Sequence, residues 1–304
     1  MNLRDLKYLV TVADTHHFGQ AAELCFVSQP TLSGQIKKLE AELGVSLFER
    51  SKRSVQTTEL GEAIVLKARE ILEQAEALRQ LARSHQDPLV GPLRMGAIPT
   101  LSPYLMPLIL KPLKESYPQI KLVLSEEQTQ TLLQRLAKYE IDAALLATPV
   151  NEAEFISMAL FNEPFWLALP SEHSLVKKEK ITQADLDNTD LLLLAEGHCL
   201  ADQVMQVCHI RERSAQGDLA DLRAASLETL LQMVATGSGS TLLPALALNS
   251  ISLKGKGIVL KELQLPDTYR QISLVYRRTF PRRKVLEVFA QLVLNNLPDN
   301  VQSL

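Results

Sequence analysis

Apolar and polar positions recur along this chain with two different periods, and the change from one to the other divides it. The first 44 residues follow the helical period. Leu6, Leu9, Val10 and Ala13 keep the i, i+3, i+4, i+7 spacing of one buried helix face. A second short helix near Gly19–Cys25 carries Ala21, Ala22 and Leu24, which let a neighbour approach. The third is the best marked. Ser28 supplies an N-cap, Pro30 sits in the first turn where a missing N–H costs nothing, Leu32, Ile36, Leu39 and Leu43 form the buried stripe, and Gly44 ends it. From Thr58 to about Arg83 runs a longer pattern with apolar positions Leu60, Ile64, Ala68, Ile71, Ala75, Leu78 and Ala82. A seam stepping by threes and fours needs a second helix, and a copy from another subunit is the simplest partner. A homodimer is therefore expected, with packing on its own domain as the alternative.

The polar run Ser84-His85-Gln86-Asp87-Pro88 suits a hinge, and beyond Gly91-Pro92 strands and helices alternate. Leu93–Ile98, Lys121–Leu124 and Ala143–Ala147 read as strands, with helices over Tyr104–Ser116 and Thr129–Lys138 between them. Leu191–Ala195, Leu227–Ala235 and Thr241–Leu243 continue the alternation. This βαβ order predicts a parallel sheet, with a pocket at the strand ends beside Pro99-Thr100-Leu101-Ser102 and Glu127-Gln128-Thr129. The expected domains are an N-terminal helical unit over 1–58, a dimerisation helix and hinge over 59–90, and an α/β domain over 91–304.

Composition narrows the class. With 46% hydrophobic and 22% charged residues in 304, the chain reads as globular with room for two cores. Its start lacks the basic stretch and apolar block of a secretory signal, and no apolar run approaches the ~20 residues that span a bilayer. A cytoplasmic, membrane-free protein is expected. Three cysteines are too few for a disulfide framework, so any disulfide is expected to be regulatory. A formal net charge of -3 means that nucleic-acid binding must rest on local cations.

Such cations lie on the third helix. At ~100° per residue its buried stripe is opposed by Pro30, Gly34, Lys37, Lys38 and Ala41, flanked by Thr31 and Ser33. A capped helix with two lysines is usually just a solvated one. Here short hydroxyls and amides can reach base edges while lysines meet phosphates, with Gln29 and Thr31 as the base readers. Arg50, Lys52 and Arg53 then form a cationic loop that suits a wing on the phosphate backbone.

Phe18-Gly19-Gln20-Ala21-Ala22, Val27-Ser28-Gln29-Pro30-Thr31-Leu32-Ser33, Leu39-Glu40 and Leu47-Phe48-Glu49-Arg50 resemble the winged helix-turn-helix of LysR-type transcription regulators. The resemblance implies an α/β regulatory half built like a periplasmic binding protein, with two subdomains hinged by crossover strands. It also implies a homotetramer made from dimers, double-stranded DNA and RNA polymerase as partners, and Gln29, Pro30, Thr31, Ser33, Lys37, Arg50 and Arg53 at the DNA.

Glu196-Gly197-His198-Cys199-Leu200-Ala201-Asp202-Gln203 combines a cysteine, a histidine and a carboxylate at a strand-to-helix junction. A helix N-terminus and a neighbouring imidazolium both lower a thiol's pKa, favouring the thiolate that attacks peroxide and becomes sulfenic acid. Cys208 has helical spacing with Leu200, Val204 and Val207, so it is expected to be buried. Nine residues of helix, from 199 to 208, span ~13.5 Å, whereas a disulfide needs Cα atoms within roughly 6.8 Å. A bond between them requires the helix to unwind. Cys25 reads as packing material.

The stretch Gly197-His198-Cys199-Leu200 with Cys208, Ile98-Pro99-Thr100, Gln128-Thr129, Ser226–Leu230 and Gly237-Ser238-Gly239 resembles the peroxide-sensing members of the same family over nearly the whole chain. That resemblance implies an activator of oxidative-stress genes with hydrogen peroxide as effector. Cys199 would be the peroxidatic and Cys208 the resolving cysteine, and Thr100, Thr129, His198 and Asp202 would handle peroxide. It calls for no metal and no cofactor. Relatives carry a basic residue two places after the first cysteine, where this chain has Ala201, leaving Arg270 or another distant cation to stabilise the thiolate. Rival readings are a metabolite-responsive regulator with incidental cysteines, a thiol peroxidase and an exported solute-binding protein. The peroxidase is opposed by the absence of a threonine over Leu194–His198, and the solute-binding protein by the N-terminal helices.

Overall fold

The computed structural model describes residues 1–50, 55–84, 89–208, 223–250 and 257–304, which form two compact units, Met1–Pro88 and Leu89–Leu304. In the first, α1 (Leu3–Thr15), α2 (Phe18–Leu24) and α3 (Gln29–Leu43) precede a hairpin of β1 (Phe48–Arg50) and β2 (Val55–Thr57), followed by α4 (Glu59–Ser84). Local chemistry sets the boundaries. Asn2 and Asp5 form a capping box on α1, and Ser28 accepts from the Thr31 N–H at the start of α3. The α2–α3 turn closes with the Phe26 N–H on Glu23 O and the Val27 N–H on Ala22 O, both at 3.0 Å. Phe26 therefore takes the left-handed position (φ 56°), where glycine is usual, with 93% of its surface in solvent.

Leu9, Val12, Leu32, Ile36 and Leu47 are fully enclosed in this unit's core. Leu43, expected in the same stripe, is exposed at the last position of α3. The α4 seam is divided. Val65 and Ala68 are buried, with Ile64 and Leu72 packed on the core, and Arg69 pairs with Asp14 of α1, whereas Leu60, Ile71 and Leu78 are exposed.

The second unit holds β3 (Gly91–Ala97), α5 (Ser102–Ser116), β4 (Ile120–Glu126), α6 (Thr129–Ala137), β5 (Ala143–Leu146), β6 (Phe155–Pro170), α7 (Gln183–Asp187), β7 (Leu193–Leu194) and α8 (Cys199–Val207). Then come β8 (Arg223–Ala224), α9 (Leu227–Ala235), β9 (Thr241–Pro244), α10 (Ala247–Ser250), β10 (Ile258–Glu262), β11 (Tyr269–Arg277), α11 (Arg283–Asn295) and β12 (Gln302–Ser303). The main sheet runs β10-β6-β11-β5-β3-β4, with β9 and β12 also on β6. The expected parallel pairing holds for β3 with β4 and β5. β6 and β11, which the periodic pattern does not mark as strands, are long and antiparallel and pair along the whole of β11, as the crossover strands that the resemblance implies. Together they cross between the two α/β layers, and one end of β6 pairs with β11 while the other pairs with β9 and β10. Phe161 and Phe165 of β6 and Phe289 of α11 are enclosed at this junction, each stabilising by about 2–3 kcal/mol through burial.

Candidate thiol site and DNA-contact helix

Gly197 turns the chain into α8 with φ +89°, and its missing side chain makes room for Gln128, since a Cβ there would lie 2.4 Å from Gln128 Oε1. Gln128 Nε2 in turn donates to Glu196 O at 3.4 Å. His198 is the N-cap without a side-chain cap bond, so Cys199 begins α8 where the backbone N–H groups point outward. The thiol is enclosed at 9% exposure.

Burial pushes the Cys199 pKa up, and Arg270 is the strongest influence pulling it back. Arg270, on β11, is itself fully enclosed. Its Nε donates to Glu163 Oε2 at 2.9 Å, its Nη1 to Thr100 Oγ1 at 2.8 Å and its Nη2 to Thr100 O at 2.9 Å. Glu163 stands opposite it in the β6–β11 register and accepts from the Leu246 N–H at 2.9 Å. The Thr129 hydroxyl also favours the thiolate, although its buried oxygen makes no hydrogen bond of normal geometry. Thr100, Thr129, Cys199 and Arg270 thus converge where α5, α6 and α8 begin. Tyr104 adds a link between α5 and α9, donating to Glu228 Oε1 at 2.9 Å, and burial with that carboxylate pushes its pKa up.

Burial lowers the His198 pKa, which keeps the imidazole neutral near pH 7, so the cation beside the thiol is Arg270. Asp202 lies exposed one turn along α8, and its charge raises the Cys199 pKa. Cys208 follows α8 at 1% exposure, where burial and Asp187 push its pKa up to about 12. Both cysteines are unbonded, as is Cys25. The Glu163–Arg270 pair escaped the sequence reading apart from Arg270 as a candidate cation. Its only sequence signal is a charge inside each of two apolar strands.

On α3, Gln29, Pro30, Thr31, Lys37 and Lys38 are exposed and Ser33 is half-buried. Thr31 Oγ1 lies 2.8 Å from Ser28 Oγ, which ties it to the cap. Arg50 ends β1, while its side chain, like Arg53 as a whole, lies outside the described residues.

Comparison with known proteins matches residues 3–62 to the bacterial regulatory helix-turn-helix protein of the lysR family and residues 86–298 to the LysR substrate binding domain. The chain is 44% identical to the DNA-binding transcriptional dual regulator OxyR of Escherichia coli K12, over 96% of this chain and 95% of that protein. It is 42% identical to the hydrogen peroxide-inducible genes activator of Dickeya chrysanthemi, over 100% and 98%. Among solved structures, a full-length OxyR mutant from Pseudomonas aeruginosa matches with a TM-score of 0.83 and 40% identity, covering 96% and 94% of the two chains. A hydrogen-peroxide-bound OxyR mutant from Corynebacterium glutamicum matches at 0.67 and 35%, covering 97% and 92%.

Proposed function

The chain belongs to the LysR family of bacterial regulators, and from that premise we propose that it is a hydrogen-peroxide-responsive DNA-binding transcription regulator, switched through Cys199 and Cys208. The observation that carries the reading is Cys199 at the start of α8, enclosed with Arg270, Thr100 and the Thr129 hydroxyl. Arg270 and the α8 N-terminus favour the thiolate. Thr100 Oγ1 already accepts from Arg270, so its own proton is left for a bound oxygen. The Cys199 thiolate attacks one peroxide oxygen, the O–O bond breaks, and the departing hydroxide takes up a proton and leaves as water. Cys199 is then a sulfenic acid.

Cys208 resolves it. Its sulfur attacks the Cys199 sulfur, the S–O bond breaks and a second water leaves. An intact α8 holds the two about 13.5 Å apart along the helix axis, so resolution requires α8 to unwind. That rearrangement is the signal. At the other end of the chain, Gln29, Pro30, Thr31, Ser33 and Lys37 with wing residues Arg50 and Arg53 meet DNA, and the exposed Leu60, Ile71 and Leu78 of α4 meet a second copy. Two dimers make the homotetramer that acts with RNA polymerase in the cytoplasm, mainly as an activator of oxidative-stress genes. No described helix is long and apolar enough to cross a membrane.

The test is non-reducing peptide mapping after stoichiometric hydrogen peroxide. A peptide linked through Cys199 and Cys208 is expected. Both thiols remaining free to alkylation would overturn the redox reading and leave a metabolite-responsive regulator in its place.

A further inference from the structure

Segment 196–208 is fastened to its surroundings by glutamine side chains that the chemistry above does not use. Near the middle of α8, Gln203 Nε2 donates to Ala147 O, just past β5, at 2.6 Å. Its own amide oxygen is buried without a partner, so Gln203 spends its one described bond on that carbonyl. At the far end, Gln183 Nε2 of α7 donates to Val207 O at 2.9 Å and to Asp187 Oδ1 at 3.0 Å. The Val207 carbonyl is among the last of the helix, which have no partner inside it, so Gln183 closes α8 from outside, one residue before Cys208. Gln128 touches the segment at the near end through Glu196 O.

We propose that Gln183 and Gln203 are positioning residues for the resolving step, holding Cys208 away from oxidised Cys199 until both amides let go. The proposal rests on the peroxide-sensing reading of the two cysteines. Both bonds are present while Cys199 is a sulfenic acid on a folded α8. Both are gone once the Cys208 sulfur has displaced water from the Cys199 sulfur to form the disulfide. Removing either donor therefore raises the sulfenic acid relative to the transition state for resolution. The first step is untouched, because neither donated bond involves Cys199, Thr100, Thr129 or Arg270. A neutral hydrogen bond to a carbonyl is worth ~1 kcal/mol, or about five-fold in rate, and the pair about twenty-five-fold if the two ends are independent.

The experiment pulses the full-length chain with hydrogen peroxide, quenches in acid, and follows Cys199 sulfenic acid and the Cys199–Cys208 disulfide by mass spectrometry. Gln203→Met and Gln183→Met keep the length of the side chain and remove the donor. Gln206→Met, exposed on α8, is the control. The expected result is wild-type formation of sulfenic acid in every variant, with disulfide formation about five-fold faster in each single variant, about twenty-five-fold faster in the double variant, and unchanged in the control. Should methionine at either position unfold the domain, Gln203→Ala and Gln183→Ala carry the same expectation. Resolution at the wild-type rate in the variants, or equal acceleration in the control, overturns the proposal. A wild-type protein that forms neither product overturns the underlying sensor reading as well.

Discussion

Arg270→Met separates what the buried cation does for the fold from what it does for the thiol. Arg270 and Glu163 are both 0% exposed and joined through Nε and Nη2 at 2.9 and 2.8 Å. Replacing Arg270 strands the carboxylate with only the described Leu246 N–H bond, and it leaves Thr100 Oγ1 and O without their donors. Breaking a buried pair from one side costs about 3–5 kcal/mol. At ~2–4 °C per kcal/mol for a domain of this size, melting should fall by about 6–20 °C. Glu163→Gln in the same background removes the stranded charge and should recover most of the loss, a coupling of ~2 kcal/mol or more in a double-mutant cycle. At Cys199 the two changes part company. The thiol loses its cation in both variants, so its pKa rises further and its alkylation at pH 7 slows in both, whatever the stability. Calorimetry and timed alkylation read the two effects. A single variant that melts within 2 °C of wild type, or a double variant that regains alkylation along with stability, refutes the reasoning.

Three further outcomes are expected. Cys208 has its folded pKa raised to about 12 from 9.0, so its contribution to stability is intact below pH ~9 and is lost as pH rises toward 12. In urea melts the stability of wild type relative to Cys208→Ala should fall above pH ~9 by at most ~1.4 kcal/mol per pH unit, and a constant difference would contradict the raised pKa. Phe26→Gly relieves a left-handed phenylalanine that buries almost nothing, so the N-terminal unit should gain ~1 kcal/mol in thermal unfolding, and a loss would mean that Phe26 packs on something. Gly197→Ala imposes both φ +89° and a contact with Gln128, costing ~1–3 kcal/mol, of which Gln128→Ala should restore only the steric part.

The DNA-contact helix was legible because its evidence is local. A cap, a proline, a buried stripe and an opposing polar face all fall within sixteen residues, Ser28 to Leu43, and the stripe fails only at Leu43, the last residue of the helix. The start of α8 was legible for the same reason. The crossover was expected only from the resemblance, and its two strands were not legible in the pattern. β6 carries Asn162-Glu163-Pro164, which reads as a break, in the middle of its sixteen residues, and its partner β11 begins about a hundred residues later. Glu163 meets Arg270 across 107 positions, a distance no window of sequence can bridge. The electrostatic role of His198 was misjudged because adjacency in sequence says nothing about burial, and burial decides whether an imidazole is charged.

The state of α8 after oxidation decides whether the disulfide is coupled to unwinding. Hydrogen exchange of the full-length protein, reduced and after stoichiometric peroxide, should show the amides of 200–208 losing protection in step with formation of the Cys199–Cys208 bond. A disulfide formed while those amides stay protected as in the reduced protein would contradict it.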